Sequence, residues 1–200
     1  MRRGMTAREL VIVGIFGAAG AALEISVGTF LHTFPVLPFK GMFLASLLAA
    51  LFVAVRIVTG RRGAPFLVAA VIAALKLLSP GAGFMTVVLA ILMEGVTAGL
   101  VLAVGTMRGP LVPILAGMST ALYTVAHKFL VNGLLLGSEI YGIYLGFLED
   151  ASVLLGLSPS DALWLLVPVL VLHLIAGGAA GLLGWRLGRR LLRITHRENP

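Results

Sequence analysis

The chain has 200 residues, of which 60% are hydrophobic and 12% are charged, with a mean hydropathy of +1.08 and a net charge of +7. A soluble domain is about half apolar and about a quarter charged, so this composition excludes an ordinary soluble protein and favours one that crosses a membrane. The sequence contains no cysteine, which excludes disulfides and thiolate metal sites.

Apolar runs separated by glycine- and proline-rich segments predict an all-α integral membrane protein with six transmembrane helices in a single domain, residues 1–200. No room remains for a soluble domain. The segment 137–161 mixes aromatic and acidic residues and is predicted to form a short interfacial helix and a loop. The predicted helices cover residues 7–30, 41–58, 64–78, 84–107, 110–136 and 162–188.

The first of these helices has an alternative interpretation. Arg2 and Arg3 precede an apolar run, and the alanines at 18–22 imitate the cleavage site of a secretory signal peptide. The apolar run continues past these alanines to Phe30, which favours a transmembrane helix.

The arginines predict the orientation of the chain. In a six-crossing arrangement they all lie on one side of the membrane, and the positive-inside rule then places both termini in the cytoplasm of a plasma-membrane protein. Basic residues at the ends of apolar segments indicate membrane orientation rather than nucleic-acid binding. The arginines are Arg2, Arg3, Arg8, Arg56, Arg61, Arg62, Arg108, Arg186, Arg189, Arg190, Arg193 and Arg197.

A second set of ionisable residues falls within the predicted spans, mostly in their outer halves. Ionisable groups at that depth cost roughly 2.5–3.5 kcal/mol each and usually face a bundle interior or a wet cavity. We therefore predict an outward-facing, substrate-binding pocket, and three lysines against two carboxylates favour an acid-bearing ligand. Two alternatives are that the lysines snorkel to the outer interface and that the charges form buried ion pairs. The candidates are Glu24, Lys40, Lys76, Glu94, His127, Lys128 and His173.

Signatures of catalysis and of metal binding are missing from the sequence. It contains no nucleophile elbow, no phosphate-binding loop and no H-E-x-x-H sequence. We expect no cofactor, no metal and no enzymatic activity, so any ATP hydrolysis would belong to partner subunits.

Small residues form a stripe on the first and on the last predicted helix. Gly14, Ala18 and Ala22 recur every four residues on the first helix. Such stripes let another helix approach closely in lipid. We expect one stripe to pack inside the bundle and the other to contact a partner, and the pattern alone does not say which. The stripe on the last helix consists of Gly177, Gly181, Gly184 and Gly188.

A basic N-terminus, an A-x-x-x-A element (Ala18 to Ala22), about six crossings and a small-rich last helix followed by "WRLGRRLLR" (185–193) resemble the substrate-binding S-components of energy-coupling factor (ECF) transporters. The resemblance implies a lipid-embedded binder of a vitamin or similar nutrient. It also implies docking through Ala18 and Ala22 on a transmembrane coupling subunit, with cytoplasmic ATPase subunits completing the complex. The segment 32–41 would then be an external lid.

The sequence is also compatible with three different functions. An autonomous secondary transporter or channel would show discontinuous helices, and the short third helix followed by "SPGAGF" (79–84) resembles one. A membrane enzyme acting on a lipid-like substrate would use Glu24, Glu94 and His173 as acid–base groups. A polytopic structural partner would need none of the buried charges.

Overall fold

A computed structural model describes residues 4–32, 39–79, 84–137, 142, 156, 164 and 166–197. Within these ranges it leaves the side chains of residues 32, 84, 128–129, 131–136 and 195–197 undescribed. Most of the predicted interfacial segment, 137–161, lies outside the described residues. The described part of the chain contains six helices and no strand. They are α1 (Ala7–His32), α2 (Lys40–Thr59), α3 (Ala64–Leu77), α4 (Phe84–Val104), α5 (Leu111–Leu136) and α6 (Leu166–Arg197).

The helix bounds agree with the predicted ones to within two residues, except at the end of α4 and in α6. Helix α4 ends at Val104, three residues before the predicted end, and Gly105 closes its last turn. Helix α6 is described from Leu166, since residues 162, 163 and 165 lie outside the described ones, and it continues nine residues beyond the predicted end at Gly188. Arginines and leucines are good helix formers, so nothing in the arginine-rich segment stops the helix where its apolar run ends.

Four of the described helices are long and apolar enough to cross a bilayer: Ala7–Leu31, Lys40–Thr59, Met85–Val104 and Leu166–Ile194. Ala64–Leu77 and Leu111–His127 are shorter apolar stretches. Large apolar side chains are exposed on all six helices, among them Ile15, Phe43, Phe66, Leu100, Leu115 and Ile175. Surfaces of this kind are unfavourable in water but compatible with lipid, so the fold is that of a membrane protein.

Helix α2 lies at the centre of the bundle and contacts each of the other five helices. Its side chains Leu48, Phe52, Val53 and Val55 are almost completely buried. Helices that follow one another in the sequence run in opposite directions. Gly184 packs against Ala50 and Gly188 against Ile57, which shows that α6 runs parallel to α2. As a result α1 begins, and α6 ends, at the same end of the bundle.

That end, which we call the arginine end, carries every arginine whose side chain the structure describes: Arg8, Arg56, Arg61, Arg62, Arg108, Arg186, Arg189, Arg190 and Arg193. The start of α1 is held there by a capping box, in which the Thr6 amide donates to Glu9 Oε2 (2.7 Å) and the Glu9 amide donates to Thr6 Oγ1 (3.3 Å). Arg61 Nε also donates to Glu9 Oε1 at 2.8 Å. The opposite end, the lysine end, contains Lys40 and Lys76.

Candidate functional site

Two carboxyl groups are buried in the bundle, that of Glu24 in the half of α1 nearer the lysine end and that of Glu94 near the middle of α4. Glu24 and Glu94 are each only 6% exposed. The charge of Glu24 acts on Glu94, and the charge of Lys76 acts on Glu24. Two acids and one half-buried lysine therefore form one electrostatic group.

Close packing of glycines turns these carboxyls inward. A Cβ on Gly17 or Gly20 would overlap the side chain of Val71 or Ile72, so these α3 side chains pack directly against the backbone of α1. Glu24 follows Gly20 by one turn on the same face. On α4, Gly95 packs against Ala69 and Phe66 of α3, which brings the adjacent Glu94 into the interior.

Helix α5 extends this group through Tyr123 and His127. The Tyr123 hydroxyl lies 3.1 Å from His127 Nδ1, and the charge of Glu94 acts on the Tyr123 phenol. His127, which is 8% exposed, forms a further hydrogen bond with the backbone of Thr86 on α4. Electrostatic interactions and hydrogen bonds thus link five polar residues from Lys76 to His127. We call Glu24, Lys76, Glu94, Tyr123 and His127 the polar cluster.

His173 of α6 lies against the beginning of α2. Its ring centroid is 6.5 Å from that of Phe39, the residue before Lys40. Its Nδ1 lies 2.7 Å from the Val169 carbonyl oxygen and must donate to it, which leaves Nε2 as an acceptor in the neutral ring. His173 is 5% exposed, so this acceptor lies in the interior of the bundle.

Among the predicted site residues, the structure brings together Glu24, Lys76, Glu94 and His127. His173 contacts Phe39, which is the residue before Lys40 in the chain. No described contact joins His173 or Lys40 to the two carboxyls. Lys128 lies on α5 next to His127, and its side chain is outside the described residues, as is most of the predicted lid, 32–41.

The sequence analysis missed two polar residues. Tyr123 is one turn before His127 on the same face, a spacing that could have identified it. Ser46 of α2 is 8% exposed, and its hydroxyl has no hydrogen-bond partner among the described residues. Serine is common in apolar helices, so the sequence carried no signal for Ser46.

No known protein family, curated protein or solved structure matches this chain. Within the described ranges, no group of three or more His, Asp or Glu side chains has an arrangement that holds a metal ion. The arrangement of the polar cluster supplies hydrogen-bonding and charged groups in a low-dielectric interior, which is the chemistry of a small-molecule binding site.

The two small-residue stripes have different environments. Gly117 of α5 packs backbone to backbone against Gly177, and Gly181 does the same against Pro113; Gly184 and Gly188 pack against α2. The α6 stripe is therefore internal. On α1, Ala18 and Ala22 are exposed, and a Cβ on Gly14 would meet no atom within 4 Å. We call Gly14, Ala18 and Ala22 the open stripe.

Proposed function

We propose that this protein is the substrate-binding subunit of an ATP-driven, ECF-type importer. It captures a vitamin or a similar small, acid-bearing nutrient in a pocket that opens to the outside of the cell. The observation that carries the proposal is the polar cluster, in which three helices place Glu24, Glu94 and His127 inside an apolar bundle, away from the arginine end.

The energetic cost of this cluster supports a role in binding. Each charged group inside a bilayer costs roughly 2.5–3.5 kcal/mol on insertion scales, and residues that only packed the bundle would not incur it.

The arginine end supports the proposed topology. By the positive-inside rule, a one-sided distribution of arginines places that end in the cytoplasm. Both ends of the described chain lie at the arginine end, so in the proposed topology the chain crosses the membrane six times and both termini are cytoplasmic. Most of the polar cluster then lies in the outer half of the membrane, where an imported nutrient arrives.

The open stripe supports a partner subunit. It presents small side chains to the lipid at positions where another helix could approach closely, and the α6 stripe is not available because α2 and α5 cover it. We propose that the open stripe docks on a transmembrane coupling subunit, and that cytoplasmic ATPase subunits supply the energy.

The lysines support an acid-bearing ligand. Lys40 and Lys76 are half-buried at the same end of the bundle as the polar cluster. A carboxylate or phosphate on the nutrient would bind these ammonium groups, while the remaining polar atoms of the nutrient would bind the carboxyls, Tyr123 and the histidines.

Native mass spectrometry of the protein purified in mild detergent tests this proposal. We expect one water-soluble metabolite per chain, and Glu94→Gln should weaken its binding about 10- to 100-fold, since a hydrogen bond to a charged group contributes about 1.5–3 kcal/mol. Thr97→Val, one turn along α4 and outside the polar cluster, is the matched control. The proposal would be contradicted if the purified chain retained only lipid, or if Glu94→Gln and Thr97→Val bound the metabolite equally well.

An autonomous secondary transporter is the second candidate, and the burial of both Glu24 and Glu94 favours it, because buried Glu and Asp residues form proton relays in such proteins. Uptake of the identified metabolite into proteoliposomes separates the two functions. A secondary transporter needs only this chain and an ion gradient, whereas the proposed binding subunit needs its partners and ATP.

A further inference from the structure

A half-buried arginine at the arginine end lacks a counter-ion among the described residues. Arg56 lies in the last turn of α2, and its Nε is buried with no described hydrogen-bond partner. The charge that acts on it is that of another cation, Arg62. A partly buried guanidinium beside a second positive charge is unfavourable unless an anion binds both.

The protein's own acids do not supply this anion in the described part of the chain. Glu9 is the one acid there that lies at the arginine end, and its carboxylate already accepts hydrogen bonds from Arg61 and from the Thr6 amide. Glu24 and Glu94 belong to the polar cluster, away from the arginine end.

Helix α6 adds further donors at the level of Arg56. Gly188 packs against Ala54 and Ile57, which places α6 beside the last turn of α2. One turn earlier, Trp185 Nε1 is buried with no described acceptor, and the Arg189 guanidinium carbon lies 6.0 Å from the Trp185 ring centroid.

The exposed surface of the last turns of α6 is apolar as well as basic. Leu183, Leu187 and Ile194 are exposed along one side of α6, and Arg186, Arg190 and Arg193 are exposed beside them. A free phosphate ion makes no favourable contact with apolar side chains, whereas a phospholipid presents a phosphate and acyl chains together.

We propose that Arg56 and Arg62, flanked by the exposed arginines of α6, bind the phosphate of an anionic phospholipid headgroup, with the acyl chains along the Leu183–Leu187 side of α6. This site is separate from the polar cluster and does not depend on the proposed import function.

Titration of the detergent-purified protein with short-chain phosphatidylglycerol, followed by native mass spectrometry, tests the site. We expect Arg62→Gln to weaken binding about tenfold, because it removes a charge-assisted hydrogen bond to the phosphate, and Arg56→Gln to weaken it at least as much. Arg108→Gln is the matched control, since Arg108 is exposed at the same end, between α4 and α5, and its loss changes the net charge equally.

Three results would overturn the proposal. Equal weakening by Arg62→Gln and Arg108→Gln would mean that only the total surface charge matters. Equal binding of phosphatidylcholine would mean that the apolar surface alone holds the lipid. Displacement of phosphatidylglycerol by millimolar inorganic phosphate would identify a free-phosphate site. If Arg56→Gln fails to fold, the exposed Arg62 decides the outcome.

Discussion

The backbone contact between α5 and α6 predicts that a single methyl group at Gly181 destabilises the protein. A Cβ at this position would lie 2.8 Å from the Pro113 carbonyl carbon and 2.9 Å from Ile114 Cα, and closer still to the Pro113 oxygen. Carbon atoms in contact are about 3.5–4.0 Å apart, so in Gly181→Ala the helices must separate by roughly 1 Å. All the atoms that overlap belong to backbone, so no side chain can rotate away.

The size of the effect follows from two opposing contributions. Overpacking a well-packed contact lowers the free energy of unfolding by about 1–3 kcal/mol. Replacing glycine by alanine within a helix raises it by about 0.5–1 kcal/mol. We therefore expect the free energy of unfolding to fall by about 1–2 kcal/mol, a factor of roughly 5–30 in the folded-to-unfolded ratio.

Two other glycines provide graded controls. At Gly178 the nearest atom to a new Cβ is the flexible end of Met118, at 3.0 Å, which can move. At Gly14 no atom lies within 4 Å, so Gly14→Ala should raise the free energy of unfolding by about 0.5–1 kcal/mol. Unfolding by sodium dodecyl sulfate in mixed micelles, followed by circular dichroism, measures all three. If Gly181→Ala is as stable as Gly14→Ala, the α6 stripe is not an internal contact.

Three further predictions concern single sites. Ala18→Trp should leave folding and ligand binding unchanged but abolish co-purification with a coupling subunit; loss of folding would instead show that the open stripe packs internally. Tyr123→Phe should shift the ring ¹⁵N resonances of His127, because it removes the hydroxyl 3.1 Å from Nδ1, and unchanged resonances would contradict that hydrogen bond. Thr6→Ala should lower the free energy of unfolding by about 1 kcal/mol through loss of the capping box. Faster hydrogen exchange in the first turn of α1 would accompany that loss, and unaltered exchange would refute the cap.

The positions of the helices were predictable from the sequence because glycine, proline and charge interrupt long apolar runs. The end of α6 was not, since an apolar run marks where the membrane ends and not where the helix ends. Arg186, Arg189, Arg190 and Arg193 favour helix as much as the leucines before them, and α6 continues to Arg197.

The direction in which each side chain points was much less predictable. In a soluble protein apolar periodicity marks the buried face of a helix, but in lipid both the buried and the exposed faces are apolar. Both small-residue stripes therefore looked alike in the sequence. Only the packing of Gly181 on Pro113 and the open surface around Gly14 distinguish them.

The sequence by itself determined that this is a helical membrane protein, which residues its helices contain, and that its ionisable residues fall into two groups. It did so because burying charge in lipid is costly enough to restrict where charged residues occur. Only the tertiary structure decided that the charge of Glu24 acts on Glu94, that the Tyr123 hydroxyl lies against His127 Nδ1, and that the charge of Arg62 acts on Arg56. The first of these is an interaction between separate helices, and it depends on how closely the glycines let the helices approach.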